Sequence, residues 1–456
     1  MSGSSRSAVD RYAAFLLSTD YSALPDDVVD ACKRYFEDTL AVGIAGARVD
    51  SSGQLRSAAS RWGSGEAASI LGRPERLPTG SAACLNAFQI HCQEFDCLHE
   101  GAAVHAMAVL TGALLAVGEE RGWTGRDLIL GIALGVDVAA TLGLASSAGL
   151  RFFRPATAGA LASAAALARL AAFDERRFRG CLGLAYSQLA GTMQAHVEGS
   201  VALPLQVGLA ARAAVNSLEL TEAGLEGPRD VLEGPFGYFR LFDEGGHLDR
   251  ALSGLGSVWR VTELSVKPFP TGRAAHGTLD ALGRLLDEAP FALSEVERVT
   301  TFVPPLVKRL VDRRSRPGMA VNYARLCLPF LVPLFLRDRR IDTTSFGRQT
   351  LDDESLLRLG ARVEVVDDGN ADPNALGPQR IEIRFANGER RSVDIAHTLG
   401  SPQNPLDAEQ RRGKFEHCLK SAGFDGDELR GIAAMVDDLE ALTDLRELMR
   451  ACRRPR

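Results

Sequence analysis

From about residue 5 to residue 255, apolar residues recur at intervals of three and four, which is the spacing of one buried helix face. Alanine is abundant in this part of the chain, and glycine or proline clusters separate the periodic stretches. The sequence LPDD at 24–27 has acidic residues where the first turn of a helix favours negative charge, so a helix is predicted over 28–46. Further helices are predicted over 155–171 and 203–217. We therefore expect the first part of the chain to be all helical.

Two apolar stretches in this part, 103–118 and 128–150, have compositions close to those of membrane spans. The first is short and contains His105, and the second has Asp137 near its middle and is rich in alanine and glycine. Small residues let helix axes approach closely, as they do in a large helical core. We therefore expect two buried helices and no membrane helix.

The sequence pattern changes near Trp259. Beyond that residue β-branched residues alternate with polar ones, and Asn387-Gly388 is typical of a tight hairpin turn. The predicted strands lie at 259–270, 296–304, 361–368 and 380–395, and the helices between them at 274–288 and 319–336. The predicted fold class is mainly α: a large all-α domain over 1–261, a smaller α+β domain over 262–397, and helices over 398–456 that pack back on the first domain.

The charge balance limits the classes of partner. The 456 residues include 52 Lys+Arg and 58 Asp+Glu, a net charge of −6, so nothing favours a nucleic acid or an anionic membrane. An anionic substrate must then be attracted by a local cluster of positive groups. The eight cysteines form no CxxC pair, and the first fifteen residues lack the pattern of a signal peptide. We expect reduced thiols and a cytoplasmic protein.

The densest set of proton-transfer groups lies between residues 91 and 105. Three of the eight histidines, His91, His99 and His105, occur there together with acidic side chains. No HExxH motif and no order of two histidines and a carboxylate is present, so no metal is predicted. Cys97 next to His99 could be a nucleophile or a buried inert thiol. The sequence favours acid/base chemistry by His105 or His99, with Asp96 orienting a histidine or capping the helix that follows.

A second cluster, VKPFPTGRAAH, occupies 266–276. Its two prolines favour an extended entry and Gly272 a tight turn, so that Arg273 and His276 fall in the first turn of the next helix. A cation beside free backbone amides at a helix N-terminus is a natural carboxylate site. The alternative is a capped domain junction in which Lys267 and Arg273 are solvated.

Five motifs spread over nearly the whole chain resemble those of the MmgE/PrpD family, which includes 2-methylcitrate dehydratase, cis-aconitate decarboxylase and iminodisuccinate epimerase. They are LPDDVVDACKRYFEDTLAVGIAG (24–46), NAFQIHCQEFD (86–96), LEGPFGYFRLF (232–242), KPFPTGRAAH (267–276) and SPQNPLDAEQRRGKF (401–415). The resemblance implies a large helical domain with both chain ends, a smaller α+β lid, and an active site in the cleft between them. It also implies a homodimer that uses no metal and no organic cofactor.

Four residues carry the family's catalytic pattern. Asp96 and His105 match the family's FDDTH…HP pattern, His276 closes the KPxPxxRxxH motif, and Tyr323 in AVNYA falls at the family's active-site tyrosine. The resemblance implies that these residues carry the chemistry, with His99 as the further candidate.

Several family positions are altered in this chain. Cys97, Leu98 and Ala106 replace an aspartate, a threonine and a proline; Leu203 and Gln206 replace the lysine and histidine of KxxHxG; Arg154 stands at a further histidine. Loss of one partner from a buried charge pair costs about 3 to 5 kcal/mol. A site with fewer cations therefore suits a dicarboxylate or a smaller acid better than a tricarboxylate. The substrate-binding residues we predict are Lys267, Arg273, Gln206 and Arg154.

The family resemblance implies chemistry at a carbon next to a carboxylate. One base removes the weakly acidic α-proton, cations hold the developing charge, and an acid acts at the leaving group or the opposite face. We expect a cofactor-independent lyase, of dehydratase or decarboxylase type, acting on a small di- or tricarboxylate. The alternatives are an epimerase or racemase acting on a dicarboxylate, favoured by the altered lysine and threonine positions, and a catalytically silent carboxylate-binding homologue.

Overall fold

The chain is mainly α-helical, as the sequence predicts. The computed structural model describes residues 7–147, 149–243 and 246–454. The helices of the first part of the chain are α1 (Ala8–Ser18), α2 (Asp26–Gly46), α3 (Asp50–Ala59), α4 (Thr79–His91), α5 (Ala106–Arg121), α6 (Gly125–Ala145), α7 (Arg154–Leu170), α8 (Glu175–Tyr186), α9 (Gln194–Glu198), α10 (Ala202–Glu222), α11 (Tyr238–Leu241) and α12 (Leu248–Leu252).

The core of this part is built from closely packed helices. Helix α4 contacts α2, α5 and α10, and α7 contacts α5, α6 and α10. At the α4–α5 crossing a Cβ on Gly112 would lie 2.7 Å from the Cβ of Ala87, so the two axes approach only because glycine stands there. The small residues of these helices therefore allow the dense packing that the sequence predicts.

Helix α6 is long and apolar enough to cross a membrane, and 94% of its most apolar stretch is buried inside the protein. This confirms the prediction of a buried helix. The helix ends at Ala145, five residues before the predicted end, because Ser146 adopts an extended conformation. Asp137 lies in the middle of α6 and its Oδ1 accepts the N–H of Arg260 at 3.1 Å.

The second part of the chain contains most of the strands. The strands in the described residues are β1 (Ala68–Ser69), β2 (Arg76–Leu77), β3 (Leu98–His99), β4 (Leu264–Ser265), β5 (Val296–Val303), β6 (Val363–Asp367), β7 (Gln379–Phe385) and β8 (Arg390–Ile395). One sheet has the order β6-β5-β7-β8, with β5 parallel to β6 and the other pairs antiparallel. Asn387 and Gly388 form the predicted turn between β7 and β8. The last three predicted strands are thus confirmed.

The predicted strand over 259–270 is wrong. Residues Arg260–Glu263 form a 3-10 helix, and only the two residues of β4 pair, with β3. The two prolines that follow cannot donate to a ladder, and β3 offers only two residues to pair with. The pattern was alternating, but no long strand edge lies beside it.

Helices pack on the sheet and then return to the first part of the chain. They are α13 (His276–Glu288), α14 (Pro305–Val311), α15 (Val321–Ala324), α16 (Leu328–Asp338), α17 (Arg348–Leu351), α18 (Glu354–Gly360), α19 (Ala408–Ser421), α20 (Gly426–Asp437) and α21 (Leu445–Ala451). The prediction of a single helix over 319–336 is wrong. Helix α15 ends before Cys327, which is extended, and α16 begins after it with Pro329 in its first turn.

Helix α19 fastens the end of the chain to the first part. The Lys414 ammonium lies 2.6 Å from Oδ1 of Asp38 on α2 and donates to the carbonyl of Phe95 at 2.8 Å. Helix α21 contacts α5. The carbonyl of Phe95 precedes Asp96, so this contact reaches the segment that carries the predicted site residues.

Candidate active site

A cavity lies between the helical part and the second part of the chain. Its volume is about 70 Å³, room for a few water molecules. Five polar side chains line it: His91, Glu94, His105, His196 and Arg273. Apart from Gly272 the rest of the lining is apolar: Leu98, Ala103, Leu150, Phe153, Pro155, Met193, Leu203, Ala274, Leu306, Leu310, Val311, Leu326 and Leu376.

The carboxylate of Asp96 lies between two imidazoles. Its Oδ2 is 3.0 Å from Nδ1 of His105, and both its oxygens are 3.1 Å from Nδ1 of His91. The two rings meet edge to face with centroids 4.9 Å apart. A carboxylate only accepts, so each Nδ1 carries a proton and donates it to Asp96. A neutral His105 therefore has its lone pair on Nε2, which has no hydrogen-bond partner among the described residues.

The three groups have pKa values that differ from the ordinary ones. Burial alone would raise the pKa of Asp96, but the two imidazoles outweigh it and hold that pKa well below its usual range. Burial lowers the pKa of His105, and the attraction of Asp96 offsets this only in part. For His91 burial is outweighed by the Asp96 and Glu94 carboxylates, so its pKa is raised. His105 therefore holds its proton less tightly than an ordinary imidazole, and His91 holds its proton more tightly.

Glu94 forms the turn that brings this group together. It has a φ of 52°, in the left-handed region that non-glycine residues seldom adopt, and it lies between His91 at the end of α4 and Asp96. Its Oε1 is 3.6 Å from Nε2 of His91. The Lys267 ammonium donates to its carbonyl at 3.0 Å and to its Oε2 at 3.3 Å. Although burial opposes it, the charge of Lys267 lowers the pKa of Glu94 to about 2.

Lys267 and Arg273 are both paired with acidic side chains. Lys267 is fully buried, which excludes the alternative of a solvated lysine. The Arg273 guanidinium is 2.8 Å from Oε1 of Glu100, and it also donates to the carbonyls of Thr398 and Leu399. Of these two predicted substrate anchors only Arg273 lines the cavity.

His276 and Tyr323 lie outside the lining of the cavity. His276 is fully buried, with Nε2 2.9 Å from the hydroxyl of Thr271, and burial together with Arg273 and Lys267 holds its pKa well below the usual range. Tyr323 donates its hydroxyl to the carbonyl of Arg314 at 3.1 Å.

Three further predicted residues also lie outside this lining. Nδ1 of His99 accepts the N–H of Ala102 at 3.1 Å, so Nε2 carries the proton and donates it to Glu263 at 2.8 Å. Gln206 accepts the N–H of Thr192 at 2.6 Å. The Arg154 guanidinium, buried, donates to the carbonyl of Ala102 at 2.7 Å and to Oδ1 of Asp243 at 3.4 Å. These contacts hold the backbone around the cavity.

His196 is a lining residue to which the sequence assigned no role. Nη2 of Arg313 donates to its Nδ1 at 2.9 Å, and burial followed by the charge of Arg313 lowers its pKa to about 3. It stands alone in the sequence, on α9, so no local pattern could have identified it. His91 and Glu94 belong to the predicted cluster, but no separate role is predicted for either of them from the sequence. Cys97 is buried and burial raises its pKa, as expected for an inert thiol.

The Asp96 group could also hold a metal ion. One potential ligand atom from each of His91, Asp96 and His105 lies within 4.8 Å of the others. The nitrogen-to-oxygen distances of 3.0 and 3.1 Å equally fit direct hydrogen bonds, which need no ion. The expectation of a site without metal remains a prediction.

Comparison with known proteins covers almost the whole chain. A model of the MmgE/PrpD N-terminal domain matches residues 10–251, and a model of the MmgE/PrpD C-terminal domain matches residues 269–440. A cis-aconitate decarboxylase-like protein, oryM, of Aspergillus oryzae is 25% identical over 454 residues, covering 94% of this chain and 93% of the relative. Cis-aconitate decarboxylase of Mus musculus is 25% identical over 471 residues, covering 99% and 94%. Cis-aconitate decarboxylase of Aspergillus terreus is 24% identical over 472 residues, covering 97% and 94%.

Proposed function

Because the chain belongs to the MmgE/PrpD family, we propose that it is a lyase that acts by proton transfer at the carbon next to a carboxylate of a small organic acid. The observation that carries the proposal is the His105 imidazole, which lines the cavity, donates Nδ1–H to Asp96 and has no partner at Nε2 among the described residues. A histidine held in that tautomer is suited to remove a proton.

In the proposed reaction Nε2 of His105 takes the α-proton of the substrate. The electron pair left on the carbon is delocalised into the adjacent carboxylate, whose added charge is held by Arg273 and by the charged form of His91. In dehydration the pair forms a carbon–carbon double bond while hydroxide leaves and takes up a proton from an acid, for which His91 is the nearest candidate. Asp96 positions both imidazoles.

In decarboxylation the bond to a carboxyl carbon breaks and carbon dioxide leaves. The electron pair of the broken bond stays on the substrate carbon. That carbon then takes up a proton from an imidazole. The similarity to cis-aconitate decarboxylases favours this outcome. Epimerisation, in which the proton returns on the opposite face and nothing leaves, is the second candidate, since the family's lysine is absent at Leu203.

The lining also supports a proposal about the substrate. The cavity has apolar walls, Glu94 adds a negative charge, and Arg273 is already paired with Glu100. Three substrate carboxylates would bring more negative charge than Arg273 and the charged form of His91 can balance. We propose a mono- or dicarboxylate with an apolar portion that packs near Leu203.

We propose that residues 262–397 act as a lid on the helical part. The walls of the small cavity come from both parts of the chain, including Leu306 and Leu310 of α14, so a movement of α14 would change the space open to a substrate. Hydrogen exchange of α14 that slows when a substrate analogue binds would support the lid. Unchanged exchange would contradict it.

We further propose a cytoplasmic homodimer that needs no cofactor. Val197 and Val201, near the cavity, are 62% and 51% exposed, and such apolar side chains suit a second copy of the chain. A Val197→Lys variant should then shift from dimer to monomer in light scattering. Activity that survives dialysis against a chelator, with stoichiometric metal absent by elemental analysis, would support the cofactor-free reaction.

The decisive experiment for the reaction is a panel of carboxylic acids incubated in deuterium oxide. Formation of an unsaturated product or carbon dioxide supports the lyase. Deuterium at the α-carbon without an unsaturated product indicates the epimerase. Thermal stabilisation without either change would indicate a silent binding protein and contradict the lyase.

A further inference from the structure

A second pocket lies outside the cavity described above, where α2, α19 and the 400–406 loop meet. Its volume is about 240 Å³. Arg34 on α2 and Arg411 on α19 line it, and none of its ten lining residues is acidic. We call it the Arg34–Arg411 pocket. It therefore carries two positive charges within its own walls.

Neither guanidinium group has a carboxylate oxygen within 4.0 Å in the described part of the chain, although both arginines also line a neighbouring pocket that contains Asp27, Asp30, Glu37 and Asp437. The Arg34 guanidinium forms no hydrogen bond with a described residue, and its buried Nε lacks a partner. Arg411 donates only to the carbonyl of Leu406, at 2.8 Å, and has no carboxylate within 4.0 Å in the described chain. The nearby acidic groups Glu37 and Asp437 are instead bound by Arg412, at 3.1 and 3.4 Å.

A buried hydroxyl group without a partner also lies on the wall of this pocket. Ser401 lines the pocket, is 5% exposed, and its Oγ has no hydrogen-bond partner among the described residues. A buried polar group is seldom left unpaired, because its desolvation then goes uncompensated. Two guanidinium groups and one hydroxyl donor on the walls of one pocket are the groups that recognise an oxyanion.

We infer that the Arg34–Arg411 pocket is a second binding site, for a small oxyanion with two or more negative charges. The oxygens of the bound oxyanion accept hydrogen bonds from both arginines and from the Ser401 hydroxyl. Phosphate groups and dicarboxylates share this chemistry and both suit a pocket of this size. The inference does not depend on the reaction proposed above.

Residues 398–401 connect the Arg34–Arg411 pocket to the first cavity. Gly400, with a φ of +89°, accepts the N–H of Val266 at 2.9 Å, and a Cβ there would lie 2.1 Å from the carbonyl oxygen of Val266. The neighbouring carbonyl of Leu399 accepts Nη1 of Arg273 at 2.7 Å. A bound oxyanion that holds Ser401 therefore restrains the segment that positions Arg273, so we expect it to change KM for the carboxylate substrate.

Isothermal titration calorimetry of the full chain tests the inference. Inorganic phosphate and succinate are titrated separately at constant ionic strength, with chloride as the blank. We expect saturable heat from at least one of them and a tenfold or larger rise in Kd in the Arg34→Gln/Arg411→Gln variant. Ser401→Ala, which keeps both charges, should raise the Kd by a smaller factor. Comparison of the two titrations shows whether the site binds phosphate or a dicarboxylate.

The matched control is Arg348→Gln, which removes an arginine that is 86% exposed and should leave binding unchanged. Succinate could also enter the first cavity, so Arg273→Gln is titrated as well. Binding that is lost in Arg273→Gln but retained in Arg34→Gln/Arg411→Gln would overturn the second site, as would absence of heat from both anions. Catalytic turnover is not used, so failure of this site is distinguishable from failure of the proposed reaction.

Discussion

Nδ1 of His105 lies 3.0 Å from Oδ2 of Asp96, so the neutral imidazole donates from Nδ1 and keeps its lone pair on Nε2. Asp96 is fully buried and shares its carboxylate with a second imidazole. The arrangement couples two histidines through one acid. Its consequences for rate, pH dependence and stability can be measured separately.

We expect His105→Gln to lower kcat by at least 10²- to 10⁴-fold, the usual contribution of a general base. The melting temperature should change by only a few degrees, because the glutamine amide can donate to Asp96 in place of Nδ1 of His105. Steady-state kinetics and thermal unfolding check both statements. His417→Gln, which alters a histidine bonded to Thr343 away from the cavity, is the control and should keep its activity. Near-normal activity of His105→Gln would refute the assignment.

The pH profile of kcat/KM should be bell-shaped. The pKa of His105 is lowered, so this base loses activity on the acidic side, below the ordinary imidazole range. The pKa of His91 is raised, so its charged form is lost on the alkaline side, above that range. We expect His91→Gln to remove the alkaline limb and keep the acidic one. A variant profile that retains both limbs would assign the alkaline limb to another group.

Lys267→Met should destabilise the protein by about 3 to 5 kcal/mol, because Glu94 is left buried without its counter-charge. Adding Glu94→Gln should recover part of this loss. Urea unfolding measures both, with Lys420→Met in an exposed pair as the control, for which little change in stability is expected. A stable Lys267→Met variant with a raised KM would show instead that the lysine binds substrate, as the sequence predicts.

Leu203→Lys should shift specificity towards acids with more carboxylates. Leu203 lines the cavity at the position where the resemblance implies a lysine, so the added charge would face the substrate. Ratios of kcat/KM for tri- and dicarboxylates measure the shift, and Leu203→Met controls for the change of shape. An unchanged ratio would show that this wall does not meet the carboxylates.

Asp137→Asn should reduce the pH dependence of stability. Burial raises the pKa of Asp137 to about 7, so the folded state holds its proton more tightly than the unfolded state. The free energy of unfolding therefore falls as pH rises from about 4 to about 7, by up to about 4 kcal/mol, and the loss persists above that range. Asparagine keeps the acceptor for the Arg260 N–H. Urea unfolding at pH 5 and pH 8 should show a smaller difference for the variant than for the parent chain.

Hydrophobic periodicity was enough to predict the long helices and the strands β5 to β8. It failed at 259–270, where alternation occurs without a long partner strand. Local sequence shows the propensity of a segment, whereas pairing depends on what lies beside it in space.

The candidate site was predictable as a cluster but not as a geometry. The sequence favours His99 and assigns no role to His91, whereas the turn at Glu94, with its uncommon positive φ, brings His91 to Asp96 and into the cavity lining. The sequence also could not show that Lys267 is paired with Glu94. His276 and Tyr323 stay predictions that depend on the family resemblance, since both lie outside the cavity lining.

The contact of Lys414 with Asp38 and with the carbonyl of Phe95 has a consequence for biosynthesis. The segment that carries Asp96 emerges from the ribosome long before the lysine that fastens it. A nascent chain in which Lys414 has not yet been synthesised therefore lacks both contacts, and the Asp96 segment gains them only after that residue is added.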